Sequence, residues 1–247
     1  MPESLLITRV LNHVFGGLVV SLMGLVGLHP AHPAAPIGDT FALEFLVAGG
    51  LIVFFLIVRL TLSVENPNPA QQIAEMIHEF TGNQAEQVIG HGYERFQPYV
   101  TCIGLFIVLN NLIGLLAGFP GFDTPTSKPA VPLGLAVLTF IYYNFHGIRV
   151  QGPIGYLKHF AGPVWWMSWL LFPVEIVSHL ARMMSLTIRL YANMLASDLL
   201  MLICFSMLPF LAPVVFLGLH ALVAVIQAYV FMLLSMIYLG MAVSHEH

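Results

Sequence analysis

The feature that most constrains this chain is a pair of apolar segments toward its C-terminal end, at about residues 164–208 and 210–243. A straight helical crossing of a bilayer takes about 20 residues, because the hydrocarbon is about 30 Å thick and a helix rises about 1.5 Å per residue. The last segment alone makes a helix of roughly 50 Å. Splitting it into two spans would require a turn near Gly218 or Gln227, and no Pro/Gly cluster or charge marks one. Each segment is therefore expected to be one steeply inclined helix. Inclination beyond the usual range of about 0–40° needs a protein surface to support it, a first hint of a large partner.

The rest of the chain is also suited to lipid. Hydrophobic residues make up 58% and charged residues only 8%, against about a quarter charged in soluble domains. Residues 4–28 are too polar at Arg9, Asn12 and His13 for a secure span and read as an interfacial helix. The stretch from His29 to Pro36 reads as a linker. Shorter spans are expected over 41–64, 98–118 and 133–145. A Pro/Gly loop from Phe119 to Pro132 precedes the third, and a connector with Gly147, Gly152, Pro153 and Gly155 follows it. Between the first two, over about 70–90, Ile73, Met76, Ile77, Phe80, Val88 and Ile89 recur at helical spacing. Glu75, Glu79 and Glu86 take the polar side, so anionic lipid would not attract this amphipathic interfacial helix. A protein-binding face and a merely solvated one both stay open. The expected fold is an all-α polytopic membrane protein. It has about five transmembrane helices and an interfacial helix, the last two spans forming an antiparallel hairpin. Residues 1–40 form an external segment, and residues 41–247 a single membrane domain.

Several function classes fall away. A net charge of −4 without a basic cluster argues against nucleic acid. Cys102 and Cys204 lie within apolar runs without zinc or redox spacing and read as buried free thiols. The N-terminus lacks the pattern of a signal peptide, because Glu3 offsets Arg9 and Gly16-Gly17 interrupts the apolar stretch. His13, His29 and His32 read as part of an external linker rather than as metal ligands. With five spans, Arg59, Arg95, Arg149 and Lys158 share one side, and Arg9 and Lys128 share the other. The positive-inside rule then places the N-terminus outside and the tail from Ser244 to His247 in the cytoplasm.

The long segments also carry charge where spans avoid it. A charged side chain at the bilayer centre costs at least about 2.5–3.5 kcal/mol. The first long segment nevertheless holds Glu175, His179, Arg182, Arg189, Asn193 and Asp198. All but Asp198 fall near one helical stripe, joined by Ser185. Asp198 lies about 13 Å beyond Arg189 along the axis and on roughly the opposite side. The second segment offers His220 and Gln227 on one face. Around a turn at Pro209, Asp198 lies 11 residues before and His220 11 after, while Arg189 lies 20 before and Gln227 18 after. The hairpin is therefore expected to pair Asp198 with His220, and Arg189 with Gln227, leaving Glu175 far toward the cytoplasm.

This layout suits ion translocation. Asp198 and His220 are groups able to exchange protons. Asn193 and Gln227 can hydrogen-bond water or orient a guanidinium. Arg189 keeps its charge, making it a barrier and a lure for a carboxylate rather than a relay. No acid lies within four residues of it, so its counter-ion is expected from another subunit. The structural alternative is a salt bridge with Asp198 or Glu175. Arg182 reads equally as a partner of Glu175, and Asn110 and Asn111 as helix-packing groups.

The stretch Ser185-Leu-Thr-Ile-Arg189-Leu-Tyr-Ala-Asn193-Met-Leu-Ala-Ser-Asp198 resembles the signature of the a subunit of F-type ATP synthases. Gly155-Tyr-Leu-Lys-His-Phe160, Asn111-Leu-Ile-Gly-Leu115, and His220 with Gln227-Ala-Tyr-Val-Phe231 and Tyr238-Leu-Gly-Met-Ala242 are similar to that family's other landmarks. The resemblance implies a proton-translocating stator with no catalytic site or cofactor of its own. Arg189 would face the carboxylate of a rotating c ring. Asp198, His220, Asn193 and Gln227 match the outer half-channel, and Glu175 the cytoplasmic exit, with Ser185, Arg182 and His179 in support. Implied partners are the c-ring subunits, peripheral-stalk b subunits, the rest of the ATP synthase and the lipid of a bacterial inner membrane. Ala192 and Ser197 stand where the family often has Gly, and Asp198 where it commonly has Glu or His, so this shorter acid is expected to need a bridging water.

Two other readings compete. A secondary transporter would show internal repeats and interrupted helices. A haem-binding electron carrier would need paired histidines, and His179 and His220 are the candidates.

Overall fold

The computed structural model describes residues 6–25, 36–116, 124–152, 168–207 and 211–243. These residues form seven α-helices, two 3-10 turns and no strand. The helices are α1 (Leu6–Leu25), α2 (Asp39–Leu60), α3 (Pro69–Ile89), α4 (Gln97–Leu116), α5 (Ala130–Gln151), α6 (Ser168–Met207) and α7 (Leu211–Val243). Five of them, α2 and α4 to α7, are long and apolar enough to cross a membrane. The protein is thus an all-α polytopic membrane protein. The connector motif Gly155–Phe160 with Lys158, the histidines His29 and His32, the turn at Pro209 and the tail from Ser244 lie outside the described residues.

Local chemistry sets the helix ends. Asp39 opens α2 and Arg59 closes it, each opposing the partial charge of its helix terminus. Pro69 starts α3, where its missing N–H costs nothing, and Gly90 ends it at φ +79°. Where the sequence predicts a span over 133–145, α5 runs from Ala130 to Gln151. Pro132 is tolerated in its first turn. At the other end Asn144, His146 and Arg149 continue the helix instead of stopping it, until Gly152 turns the chain at φ +74°. Polarity marks where a span leaves hydrocarbon, not where its helix ends.

α6 has 40 residues and α7 has 33, about 60 Å and 50 Å of helix. They pack side by side, and α7 also packs against α3, α4 and α5. Ala224, Ala228, Phe231, Met232, Met236 and Leu239 of α7 are buried at three- and four-residue spacing. Leu186, Leu190 and Met194 of α6 and Ile103 and Ile107 of α4 cluster with Ala224, Ala228 and Phe231, while Ala85 of α3, Val100 of α4 and Tyr143 of α5 cluster with Met232, Met236 and Leu239. In lipid the hydrophobic effect does not press helices together, so close packing must do so, and small residues allow it. Gly104 is an example: a Cβ there would meet the Met232 sulfur at 3.2 Å. The cysteines correct one expectation. Both are free, but Cys102 is exposed and Cys204 only half-buried.

At one end of the bundle, Thr8 of α1 donates to Asp39, and Asn12 bonds both backbone groups of Ile37. Lys128 donates to Thr40 at 2.6 Å. The start of α2 therefore meets the segment before α5, so that Lys128 shares an end with α1.

Candidate functional site

Two polar groupings sit on α6, separated by Arg189. The first joins α6 to α7. Asn193 donates to Gln227 at 2.8 Å. Five residues further along α6, Asp198 Oδ1 lies 3.9 Å from His220 Nδ1, an approach too long for a direct hydrogen bond. His220 is 2% exposed, and neither of its ring nitrogens has a hydrogen-bond partner among the described residues. Asp198 also accepts a hydrogen bond from Thr124 at 2.8 Å. Behind this pair, Thr126 donates to Asn111 at 2.7 Å, and Asn111 donates to the Ala224 carbonyl of α7 at 3.2 Å. Asn110 donates to the Phe106 carbonyl. Both asparagines are fully buried; Asn111 links α4 to α7 as the packing role expects, whereas the described hydrogen bond of Asn110 stays within its own helix.

The second grouping lies at the start of α6. Glu175 Oε1 is 3.3 Å from His179 Nε2 and 3.8 Å from Arg182 Nη2. The other His179 nitrogen hydrogen-bonds the Tyr143 hydroxyl of α5 at 2.8 Å. The Arg182 guanidinium stands over the Tyr238 ring of α7, 5.7 Å from its centroid. Charge, hydrogen bond and aromatic face are thus all supplied within the chain.

Arg189 differs. Its only described polar contact is with Ser185 Oγ at 3.5 Å. No carboxylate pairs with it among the described residues, neither Asp198 nor Glu175. The expected Arg189–Gln227 pairing is not formed: Gln227 meets Asn193, one turn away. The reason is angular. Relative to the buried Leu190, Asn193 lies about 60° round the helix and Arg189 about 100°. Asn193 therefore reaches the α6–α7 seam, while Arg189 swings past it toward the outside.

Residues 41–240 match the family described as ATP synthase A chain. The chain belongs to this family. The protein named ATP synthase subunit a in Koribacter versatilis (strain Ellin345) is 49% identical over 247 residues, covering 100% of both chains. Its namesake in Solibacter usitatus (strain Ellin6076) is 42% identical, over 86% of this chain and 90% of the relative. That in Sulfurimonas denitrificans (strain ATCC 33889 / DSM 1251) is 37% identical, over 81% and 89%.

In this member of the ATP synthase A chain family, three residues around the candidate site escaped sequence reasoning. Thr124 and Thr126 sit in a Pro/Gly-rich loop, and Tyr143 looks like an ordinary span aromatic, while Tyr238 reads only as part of a family landmark. Each acts through a contact that no spacing within its own element reveals. The haem alternative loses its geometry, because His179 belongs to the first turns of α6 and His220 pairs with Asp198. Along α6 those two levels are about 28 Å apart.

Proposed function

We propose that this chain is the proton-translocating stator subunit of a rotary ATP synthase, presenting two offset half-channels to a ring of c subunits. The observation that carries this reading is Arg189. It is a permanent cation within a 40-residue apolar helix, partly exposed, with a serine as its only described polar contact. A charge in that position needs a counter-ion, and a carboxylate on a neighbouring subunit supplies one.

Protons enter from the outside past Asp198 and His220, follow Asn193 and Gln227, and reach a c-ring carboxylate. Neutralised, that carboxylate travels through lipid for nearly a full turn. On its return Arg189 favours the ionised form and the proton leaves toward Glu175, with His179 and Arg182 beside the exit. The same fixed charge blocks direct leakage between the half-channels. Both long helices are inclined in the bilayer and rest against the rotor. Peripheral-stalk b subunits and the remaining ATP synthase subunits hold the chain still. The chain lies in a bacterial inner membrane with its N-terminus outside and its C-terminus in the cytoplasm, and performs no bond chemistry itself.

The test is Arg189→Gln in the assembled complex. Proton-driven ATP synthesis in vesicles should fall to background. Retained synthesis would overturn the proposal.

A further inference from the structure

We infer that Thr124 is a positioning residue for proton uptake: its hydroxyl holds the Asp198 carboxylate at the working distance from His220. This rests on the half-channel reading above. Thr124 belongs to neither long helix and lies 74 residues from Asp198 in sequence.

Three observations converge on it. First, Thr124 donates to Asp198 Oδ1 at 2.8 Å, and that same oxygen faces His220 Nδ1 at 3.9 Å. A hydroxyl donating to a carboxylate fixes the rotation of the carboxylate plane and stabilises its charged form. Second, the threonine is clamped. It is 1% exposed, and its carbonyl accepts from both the Ser127 backbone N–H at 3.0 Å and the Ser127 hydroxyl at 2.7 Å. Its side chain fills the space left by Gly114 of α4: a Cβ there would stand 2.3 Å from the Thr124 hydroxyl and 2.5 Å from its methyl. Third, the turn Pro125–Ser127 is anchored on the other side of the pair. Thr126 donates to Asn111, which donates to the Ala224 carbonyl one helical turn from His220. A single short turn is thus tied to α6 at the acid and, through α4, to α7 beside the histidine. It sets the gap between the two proton-exchanging groups.

Aspartate has one methylene less than glutamate, so its reach toward α7 depends on how it is held. Thr124 does this holding without taking part in proton transfer. Loss of the hydroxyl lets the carboxylate turn away, and errors of about 1 Å between reacting groups carry large rate costs.

The experiment compares Thr124→Val, Thr124→Ser, Gly114→Ala and Arg189→Gln in the purified complex, reconstituted in vesicles and normalised to assembled subunit a. Valine keeps the shape of threonine and loses the hydroxyl. Serine keeps the hydroxyl and loses the methyl. Proton-driven synthesis should fall about tenfold in Thr124→Val and stay within about twofold of the parent in Thr124→Ser. Gly114→Ala should fall with Thr124→Val, because it displaces the same side chain. Parental activity in Thr124→Val, or equal losses in the valine and serine variants, would overturn the assignment while Arg189→Gln remains inactive. Activity in Arg189→Gln would instead overturn the half-channel reading and this inference with it.

Discussion

Arg182 and Arg189 stand two turns apart on one helix, and the chain treats them in opposite ways. Arg182 has a carboxylate at 3.8 Å, an aromatic ring beneath it and a side chain only 22% exposed. Arg189 has a serine oxygen at 3.5 Å and a partly open flank. An arginine in a membrane span carries a desolvation cost at either position. At Arg182 it is offset within the fold. At Arg189 it is left to be offset by something else. A charge satisfied at home holds helices together, whereas on the proposed stator reading the charge left open is half of an intermolecular site.

The sharpest way to break this contrast is to keep the charge and change its shape. Lysine is a compact point charge without the planar fork of arginine. If the proposal holds, Arg189→Lys should lose proton-driven synthesis by at least about a hundredfold, because a fork that must meet a moving carboxylate tolerates little misplacement. Arg182→Lys should lose no more than about threefold, because lysine keeps the charge and a single contact at 3.8 Å to a part-exposed Glu175 contributes little. Equal losses at the two positions, measured as ATP synthesis in vesicles, would erase the distinction.

A second test gives Arg189 a partner at home. Ser185 lies one turn before it and already makes its only described contact. Ser185→Glu would place a carboxylate on the i,i+4 neighbour, in the favourable orientation with the acid N-terminal to the base. On the proposed reading the complex should assemble normally, yet synthesis should fall about tenfold, since the arginine then prefers its own helix to an acid on the partner. Undiminished synthesis would mean that the openness of Arg189 is incidental.

Much of this arrangement was legible before the structure. Lipid forces backbone hydrogen bonds to close within each span, so long apolar runs translate directly into helices. That is why the expected segment 164–208 and the observed Ser168–Met207 nearly coincide. Counting outward from Pro209 also found the Asp198–His220 pair. The same counting missed the partner of Gln227 by one turn, because height along a helix says nothing of angle around it. Asn193 and Arg189 differ by about 40° in direction, and that decides which of them enters the seam. Thr124 and Tyr143 were illegible for another reason. They serve titratable groups on an element remote in sequence, and a single contact across the fold leaves no periodic trace.

The finest discrimination comes from a double-mutant cycle on Glu175 and Arg182, read as the midpoint of thermal disassembly of the solubilised complex. The pair meets end-on at 3.8 Å with Glu175 33% exposed, and Glu175 shares its oxygen with His179 at 3.3 Å. Solvent screening at that exposure limits the coupling to about 1 kcal/mol or less. Arg182→Gln also loses its contact with the Tyr238 ring, but that loss is common to the single and the double variant and cancels, so any failure of the single variants to sum reports the Glu175–Arg182 pair itself. The matching cycle on Glu175 and Arg189 should show no coupling, since these residues lie 14 positions apart on α6 and do not touch. That near-zero result carries the argument. Coupling between Glu175 and Arg189 as large as that with Arg182 would mean the two arginines share one internal network, and the open charge would have to be explained as part of the fold.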